Sequence, residues 1–399
     1  MTTQEFIAQY EKYVIGNYMR IPAVLVKGQG SFVWDNDGRR YLDMFPGWGV
    51  NGLGHCHPDV VKAVQQQTAK LMHVANNYYN ELQGRLARMI SERSFGGKCF
   101  FCNSGAEAVE AAIKLARIYG QAQGPAPTGS AARYRIITTL NSFHGRTSMA
   151  MAATGQPKYH KGLPPSDMGF TFVPYNDVPA VEKAIDANTC AIMVEPIQGE
   201  GGVNVPADGY LKALRGLCEK HGLLLIFDEV TTGSGRTGKH YAYQHFGVEP
   251  DIMTLAKSMG GGLAVGAMEA RPQIAEKLVP GTHASTFGGN PIACAGAIAL
   301  LEIIDRDGLL EHSTRMGELL KKKLRGIKSD LIADVRGKGC LIGMELKKPG
   351  AEFVKRCMQN GMLVNCTHDT VIRYYPSMVA TEAEIDEAAA ITETCLPGK

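Results

Sequence analysis

The chain has 399 residues and a formal net charge of +3, with 45% hydrophobic and 20% charged residues. This composition is typical of a globular protein and excludes a collagen-like or disordered chain, and the length suggests two or three domains. Because the net charge is small and Lys and Arg are spread along the chain, neither nucleic acid nor an acidic membrane surface is indicated as a partner, and we expect a small molecule instead.

The N-terminus and the cysteines indicate a cytosolic protein. The chain starts with MTTQEFIAQYEKYV, which has early acidic residues and no apolar h-region, so we expect no signal peptide. No stretch of about 18 apolar residues follows, so we expect no membrane-spanning helix. The ten cysteines have no repeated spacing, which favours reduced thiols over a disulfide framework.

Two patterns of cysteine and histidine resemble metal ligands but are interpreted otherwise. Cys99 and Cys102 lie in an apolar strand-like run with no second pair nearby, which indicates buried side chains. His55, Cys56 and His57 are adjacent on an extended segment, where side chains alternate between faces and do not converge on one ion. We therefore predict no metal site.

A helix start follows the first apolar strand. Ser104 and Glu107 have the spacing of a capping box, and Gly105 opens the predicted helix. Free N–H groups at a helix start, together with a glycine that admits a ligand, can bind phosphate, although a capping box more often only caps a helix. Residues 120–133 are rich in Gly, Pro, Ala and Ser and predict a surface loop after this helix.

The middle of the chain alternates apolar strands with amphipathic helices, which predicts a doubly wound α/β sheet. Residues 191–194 and 223–227 are continuous apolar runs, typical of strands covered on both faces. Residues 209–221 form the helical pattern between them, and Gly222 occupies the position where a helix usually ends in a glycine.

Two charged motifs follow apolar strands of this sheet. Asp228 and Glu229 stand directly after LLLIF, at the strand end where open α/β sheets bind ligands. A carboxylate there could pair with a protonated ring nitrogen or form an N-cap or loop ion pair. Lys257 ends another apolar strand before three glycines, where partial desolvation would make it an amine nucleophile, although a lysine reaching solvent is the alternative.

These motifs gain force from their order. A phosphorylated pyridine aldehyde requires a site for its phosphate, an aromatic side chain, an acid and a lysine. The sequence offers these in order: the helix start, Phe143 followed by Arg146, Asp228 at a strand end and Lys257 at a strand end.

The last hundred residues change character. They show a long helical pattern from 291 to 325, then VRGKGCLIGMEL, VIRYYPS and the acidic helix start TEAEIDEA. We predict an N-terminal segment at 1–55 that contributes to a small domain, a large domain at 56–290 and a C-terminal small α+β domain at 291–399.

Seven motifs carry a family resemblance: FFCNSGAEAVEAAIKLAR, NSFHGRT, VEPIQGEGG, LIFDEVTTGSGRTG, LAKSMGGG, STFGGNP and VRGKGCLIGMEL. They closely resemble class III (subgroup II) pyridoxal 5′-phosphate (PLP)-dependent aminotransferases, and the start NYMRIPAVLVKGQGSFVWDNDGRRYLD is similar to the acetylornithine aminotransferase branch. The resemblance implies fold type I, with a large doubly wound, mainly parallel sheet domain and a smaller α+β domain. It also implies a homodimer with shared active sites.

The resemblance implies roles for residues at the cofactor. Lys257 would form the Schiff base with PLP, and Asp228 would pair with the pyridinium nitrogen. Phe143 would stack on the ring, and Thr286 would reach the phosphate bound by the neighbouring subunit. The other implied cofactor contacts are Ser104, Gly105, Ala106, Glu229, Val230 and Thr231.

The resemblance also implies how two substrates share one pocket. Arg146 would bind the α-carboxylate of the amino donor and Arg373 that of 2-oxoglutarate, while Glu200 would neutralise Arg373 in the donor half-reaction. Ser285 is a further implied substrate contact. The donor expected from the resemblance is N2-acetylornithine; succinylornithine, ornithine and 4-aminobutyrate remain alternatives, and an intramolecular aminomutase is a different reaction class.

Three departures from the family pattern bear on the substrate. Thr231 stands where the family usually has Gln, and Ser258 replaces the usual Gly after the lysine. The stretch 374–376, Tyr-Tyr-Pro, replaces a more aliphatic sequence beside Arg373.

Overall fold

Three β-sheets organise the part of the chain that a computed structural model describes, residues 1–123, 133–164 and 167–396. Most of the predicted loop at 120–133 lies outside the described residues. The helix before it extends to Ala122, so it includes the first residues of the predicted loop.

The largest sheet has seven strands in the order β4-β10-β9-β8-β7-β5-β6. Strands β5 to β9 pair in parallel, and β10 is antiparallel to both β9 and β4. This arrangement confirms the predicted doubly wound, mainly parallel sheet. The strands are β4 Lys98–Cys102, β5 Arg135–Thr139, β6 Phe170–Val173, β7 Thr189–Val194, β8 Leu224–Asp228, β9 Ile252–Leu255 and β10 Gly266–Ala270.

The apolar runs of this sheet are explained by burial on both faces. In β7, Ile192 and Val194 belong to one apolar cluster, whereas Ala191 and Met193 belong to a second. Because successive side chains of a strand point to opposite faces, a strand between two helix layers must be apolar at every position. Cys99 and Cys102, with free thiols, lie in β4 at the edge of this sheet.

Two four-stranded sheets complete the fold. The first joins β1 Leu25–Gln29, β2 Phe32–Asp35 and β3 Arg40–Asp43 to β13 Met362–Leu363, so the N-terminal segment pairs with the C-terminal region. The second, here called the small sheet, is antiparallel and contains β11 Ile332–Lys338, β12 Leu341–Leu346, β15 Val371–Tyr374 and β14 Asn365–Thr367.

Twelve α-helices lie in the described residues, and none of them is long and apolar enough to cross a membrane. They are α1 Thr3–Tyr13, α2 Pro58–Lys70, α3 Glu81–Arg93, α4 Gly105–Ala122, α5 Ser148–Ala153, α6 Val178–Ala184, α7 Tyr210–His221, α8 Pro272–Ala275, α9 Pro291–Arg306, α10 Leu309–Gly326, α11 Ala351–Gln359 and α12 Glu382–Cys395. The C-cap of α7 is Gly222 with φ +64°, as the sequence predicts.

The long helical pattern from 291 to 325 suggested one helix, and this is wrong, because the structure has two, α9 and α10. The helical conformation is interrupted at Gly308, whose φ of +61° is left-handed and cannot continue a right-handed helix. Helix α9 packs into an apolar cluster of the large sheet, whereas buried residues of α10 such as Met316 and Leu320 join the small-sheet cluster. The division at residue 290 stays a prediction.

Candidate active site

The carboxyl ends of the parallel strands bring the predicted site residues to one edge of the large sheet. Asp228 is the last residue of β8, and Lys257 comes two residues after β9. The loop after β5 carries Phe143 and Arg146. Because the carboxyl ends of parallel strands meet at one edge, residues far apart in sequence come together here.

Asp228 is buried and held by three partners. Its Oδ2 lies 2.7 Å from Nδ1 of His144, and its Oδ1 accepts hydrogen bonds from Thr254 Oγ1 and the Val230 amide, both at 3.1 Å. His144 in turn lies 3.1 Å from the Thr138 hydroxyl through Nε2. Sequence reasoning missed His144, although it stands in the NSFHGRT motif beside Phe143.

Lys257 is half-buried and has an unusual backbone. Its φ is +46°, a left-handed conformation that costs energy for a residue with a Cβ and is found mainly at functional sites. Its Nζ donates a hydrogen bond to Thr231 Oγ1 at 2.7 Å. Burial of the amine lowers the pKa of Lys257, although nearby carboxylates, chiefly Glu200, act in the opposite direction.

The start of α4 is a cradle of unpaired N–H groups. Ser104 Oγ accepts from the Glu107 amide at 3.2 Å, but the Glu107 carboxylate accepts from the Asn103 amide at 2.9 Å, so only half of the predicted capping box forms. Within the described chain, no hydrogen bond occupies the N–H of Gly105 or Ala106. A Cβ on Gly105 would lie 2.7 Å from Val230 Cγ1, so only glycine fits. This cradle suits a phosphate group.

Phe143 is fixed by a buried carboxylate that sequence reasoning left unassigned. Glu195 accepts hydrogen bonds from the Phe143 amide at 3.0 Å and the Gly199 amide at 2.9 Å. Burial raises the pKa of Glu195 to about 7. The Phe143 ring meets Tyr159 edge-on at 5.6 Å between centroids. Glu195 thus joins the aromatic segment to the loop that carries Glu200.

Arg373 and Glu200 form a buried ion pair. Arg373 is 1% exposed, and its Nη1 lies 2.6 Å from Glu200 Oε1. Its Nε also donates to Asn365 Oδ1 at 2.9 Å, and its guanidinium lies 4.7 Å from the Phe45 ring. Burial is the largest influence on the pKa of Glu200 and acts to raise it, but the charge and hydrogen bond of Arg373, together with nearby lysines, outweigh burial and hold that pKa below its ordinary value. The two side chains therefore pair in the structure, and the roles in substrate binding implied for them stay predictions.

Arg146 is the exposed arginine of the site. Its guanidinium stacks 4.0 Å from the Tyr159 ring and 5.6 Å from the Phe143 ring. No carboxylate in the described ranges pairs with it. An arginine oriented by aromatic rings and free of an acidic partner can bind a carboxylate ligand.

Glu229 has a different environment from Asp228, the residue before it. Its carboxylate is fully buried, accepting hydrogen bonds from the Thr232 hydroxyl and from the amides of Ala242 and Tyr243, at 2.9 and 2.8 Å. Burial raises the pKa of Glu229 to about 7. These contacts hold the turn after β8 and do not support the predicted cofactor contact.

Ser285 and Thr286 lie on a loop beside α4. Ser285 Oγ accepts from the Asn103 side-chain amide at 3.2 Å, whereas Thr286 is exposed. The predicted roles of both residues stay predictions.

Ser258, which follows Lys257 in the chain, is held by buried hydrogen bonds. Its hydroxyl donates to the Gly49 carbonyl at 2.9 Å and accepts from Arg236 at 3.1 Å. Arg236 is 1% exposed and also donates to the carbonyls of Pro376 at 2.7 Å and Gly49 at 3.1 Å. Sequence reasoning missed Arg236, because its partners are carbonyls from distant segments.

Comparisons with known proteins agree with this geometry. Residues 13–396 match the model of the family Aminotransferase class-III. The chain is 49% identical to the acetylornithine aminotransferase of Caldanaerobacter subterraneus subsp. tengcongensis, over 98% of both chains. The ornithine aminotransferase of Toxoplasma gondii, solved with partial occupancy of PLP at its active site, superposes with a TM-score of 0.93 at 36% identity, covering 99% of this chain and 94% of that one. The acetylornithine aminotransferase of Elizabethkingia anophelis gives 0.87 at 36% identity, covering 99% of both chains.

Proposed function

Because this chain belongs to the class-III aminotransferases, we propose that it moves the δ-amino group of N2-acetylornithine to 2-oxoglutarate, giving N-acetylglutamate semialdehyde and glutamate. The relatives of highest identity are acetylornithine aminotransferases, which supports the choice of donor. The observation that carries the proposal is the meeting of Lys257, Asp228 and the open start of α4 at one edge of the sheet.

Class-III aminotransferases depend on PLP, and the residues present suit it. The N–H groups of Gly105 and Ala106 would bind the phosphate, with Thr286 of a second subunit, and Phe143 would cover the ring. When bound, PLP withdraws electrons from the substrate carbon that bears the transferred amino group.

Asp228 is placed to accept a hydrogen bond from a protonated ring nitrogen. Its partners His144, Thr254 and the Val230 amide fix its carboxylate in one position. A carboxylate that is oriented in advance stabilises charge without reorganising during the reaction.

Lys257 is proposed to move the proton at the reacting carbon. Partial burial favours its neutral amine, which is the form that can accept a proton. The hydrogen bond to Thr231 Oγ1 at 2.7 Å fixes the direction of Nζ. Neutral Lys257 is also the form that attacks an aldehyde.

The two arginines account for two substrates in one pocket. Arg146 is free to bind the donor carboxylate, and Arg373 becomes free for a 2-oxoglutarate carboxylate when Glu200 turns away. An arginine that loses its substrate partner needs another one, which Glu200 supplies. An aminomutase has no second dicarboxylate to bind, so this pairing favours a transaminase.

A homodimer with shared sites is part of the proposal. Large apolar side chains are exposed beside the site in two segments, 71–79 and 279–287, including Tyr79 and Phe287. Asn76 joins these segments by donating to the carbonyls of Ser285 and Gly288, each at 3.0 Å. An apolar patch of this kind marks an interface, and the exposed Thr286 lies within it.

We also propose a cytosolic location, which the free thiols of all ten cysteines support.

The half-reaction tests the function. The absorbance spectrum of the holoenzyme is recorded before and after addition of N-acetylornithine, succinylornithine, ornithine or 4-aminobutyrate, without a keto acid. We expect N-acetylornithine to convert the spectrum to that of the pyridoxamine form and Lys257→Ala to abolish the change. Conversion only by another donor would replace the proposed substrate, and the absence of any PLP spectrum would contradict the enzyme class.

A further inference from the structure

The two ends of the loop at 198–204, which carries Glu200, are bonded to each other, and Gln198 ties the loop to the end of β5 in the large sheet. The backbones of Gln198 and Asn204 exchange hydrogen bonds of 3.1 and 3.0 Å. The Gln198 side chain donates to the Leu140 carbonyl at 2.9 Å, and the side-chain amide of Asn204 donates to the Gly201 carbonyl at 2.8 Å. The two ends of the loop therefore cannot separate without breaking several bonds.

The small sheet holds the tip of the same loop. Thr367 in β14 donates its hydroxyl to the Glu200 carbonyl at 2.6 Å. Arg336 in β11 donates to the Gly202 carbonyl at 2.7 Å and to the Val203 carbonyl at 3.2 Å. These contacts use backbone carbonyls, so they leave the Glu200 side chain free to rotate.

The backbone inside the loop is strained. Val203 has φ +54°, a genuine outlier for a β-branched residue, and its side chain is fully buried. A conformation of this cost persists only when surrounding contacts impose it. Thr367 and Arg336 supply such contacts from outside the loop.

We propose that Thr367 and Arg336 are positioning residues that hold the Glu200 backbone in the place from which its carboxylate closes Arg373 to dicarboxylates. Opening is then a rotation of the Glu200 side chain above a fixed backbone. The inference rests on the proposed function of Glu200 and Arg373.

The consequence is a shift in dicarboxylate affinity. A dicarboxylate binds Arg373 only in the fraction of molecules in which Glu200 has turned away, so its apparent Kd is the intrinsic Kd divided by that fraction. Without the Thr367 hydroxyl, the Glu200 backbone also occupies positions from which its carboxylate does not reach Arg373, which disfavours the closed state and raises the open fraction. We expect the Kd to fall by about two- to tenfold, the range that one intramolecular hydrogen bond spans.

Calorimetric titration of the holoenzyme with glutarate tests this inference. Thr367→Val is expected to bind glutarate more tightly than the wild type, and Thr367→Ser to behave as the wild type. Thr370→Val is the matched control, because Thr370 lies in the same hairpin and its hydroxyl donates to the His368 carbonyl of that hairpin at 3.2 Å, not to the loop that carries Glu200. Arg336→Gln gives an independent variant if Thr367→Val fails to fold, and it is expected to shift the Kd in the same direction.

Glu200→Gln separates the two levels of the proposal. If Glu200→Gln binds glutarate more tightly while Thr367→Val and Arg336→Gln bind it as the wild type does, the positioning role is overturned. The proposed closure of Arg373 by Glu200, here called the gate, would remain intact. Unchanged binding by Glu200→Gln would overturn both the gate and the positioning role. The donor half-reaction, measured separately, reports on the transaminase function itself.

Discussion

The Lys257 amine donates a 2.7 Å hydrogen bond to the Thr231 hydroxyl, a residue that stands where the resembled family usually has Gln. Gly199 permits this approach, because a Cβ there would lie 2.6 Å from Thr231 Cγ2. The departure at position 231 therefore places a short hydroxyl side chain against the proposed catalytic amine.

Thr231→Val is expected to lower kcat by about two- to tenfold, because it removes one hydrogen bond that orients Nζ while keeping the side-chain volume. Thr231→Ser keeps the hydroxyl and should retain most of the activity. Steady-state kinetics with saturating substrates measure the effect. Equal kcat values for wild type and Thr231→Val would show that the hydroxyl does not orient the amine.

Gly105→Ala is expected to weaken PLP binding, because its Cβ would lie 2.7 Å from Val230 Cγ1 and would displace the helix start. Overpacking of this kind costs about 1–3 kcal/mol. Fluorescence titration of the apoenzyme with PLP measures the affinity. Adding Val230→Ala removes the obstructing methyl groups and should recover part of the loss; no recovery would mean that the cost does not come from this contact.

The stability of the apoprotein is expected to fall as pH rises from about 4.5 to about 7, because the pKa of buried Glu195 is raised to about 7 in the folded state. In this window the folded state holds a proton that the unfolded state has released, so deprotonation favours unfolding. Chemical denaturation at a series of pH values measures the slope. Glu195→Gln should show a shallower slope in the same window, and an identical slope would show that Glu195 titrates normally.

Arg373→Lys is expected to raise the KM for 2-oxoglutarate by about 10- to 100-fold, because Lys cannot form the bidentate pair with a carboxylate. The KM for the amino donor should change much less. Arg146→Lys is the matched variant and should show the opposite pattern. Equal effects of both substitutions on both substrates would contradict separate roles for the two arginines.

Local sequence patterns predicted the strands of the large sheet because burial on both faces leaves a continuous apolar run, as in residues 191–194. The positions of Asp228 and Lys257 followed from the same strands. The residues that fix them were not predictable in this way. His144 is 84 positions from Asp228, and Glu195 is 52 positions from Phe143. They come together only because crossover connections place their parallel strands side by side in the sheet.

The break between α9 and α10 shows a different kind of error. The apolar periodicity continues across residue 308, and a single Gly within a helical pattern is often tolerated. The tertiary fold decided the outcome, since α9 lies against α2 and α3 while α10 lies against β11. Separate packing partners required a change of direction that Gly308 allows.

The buried Arg236 makes distant parts of the chain depend on one another for unfolding. Its guanidinium is bonded to the carbonyls of Gly49 and Pro376 and to the Ser258 hydroxyl, and no carboxylate in the described ranges pairs with it. Opening any one of these segments would leave a desolvated cation with fewer partners, at a cost of several kcal/mol. The three segments should therefore open as one cooperative unit, with similar protection from hydrogen exchange, although they are separated by more than a hundred residues.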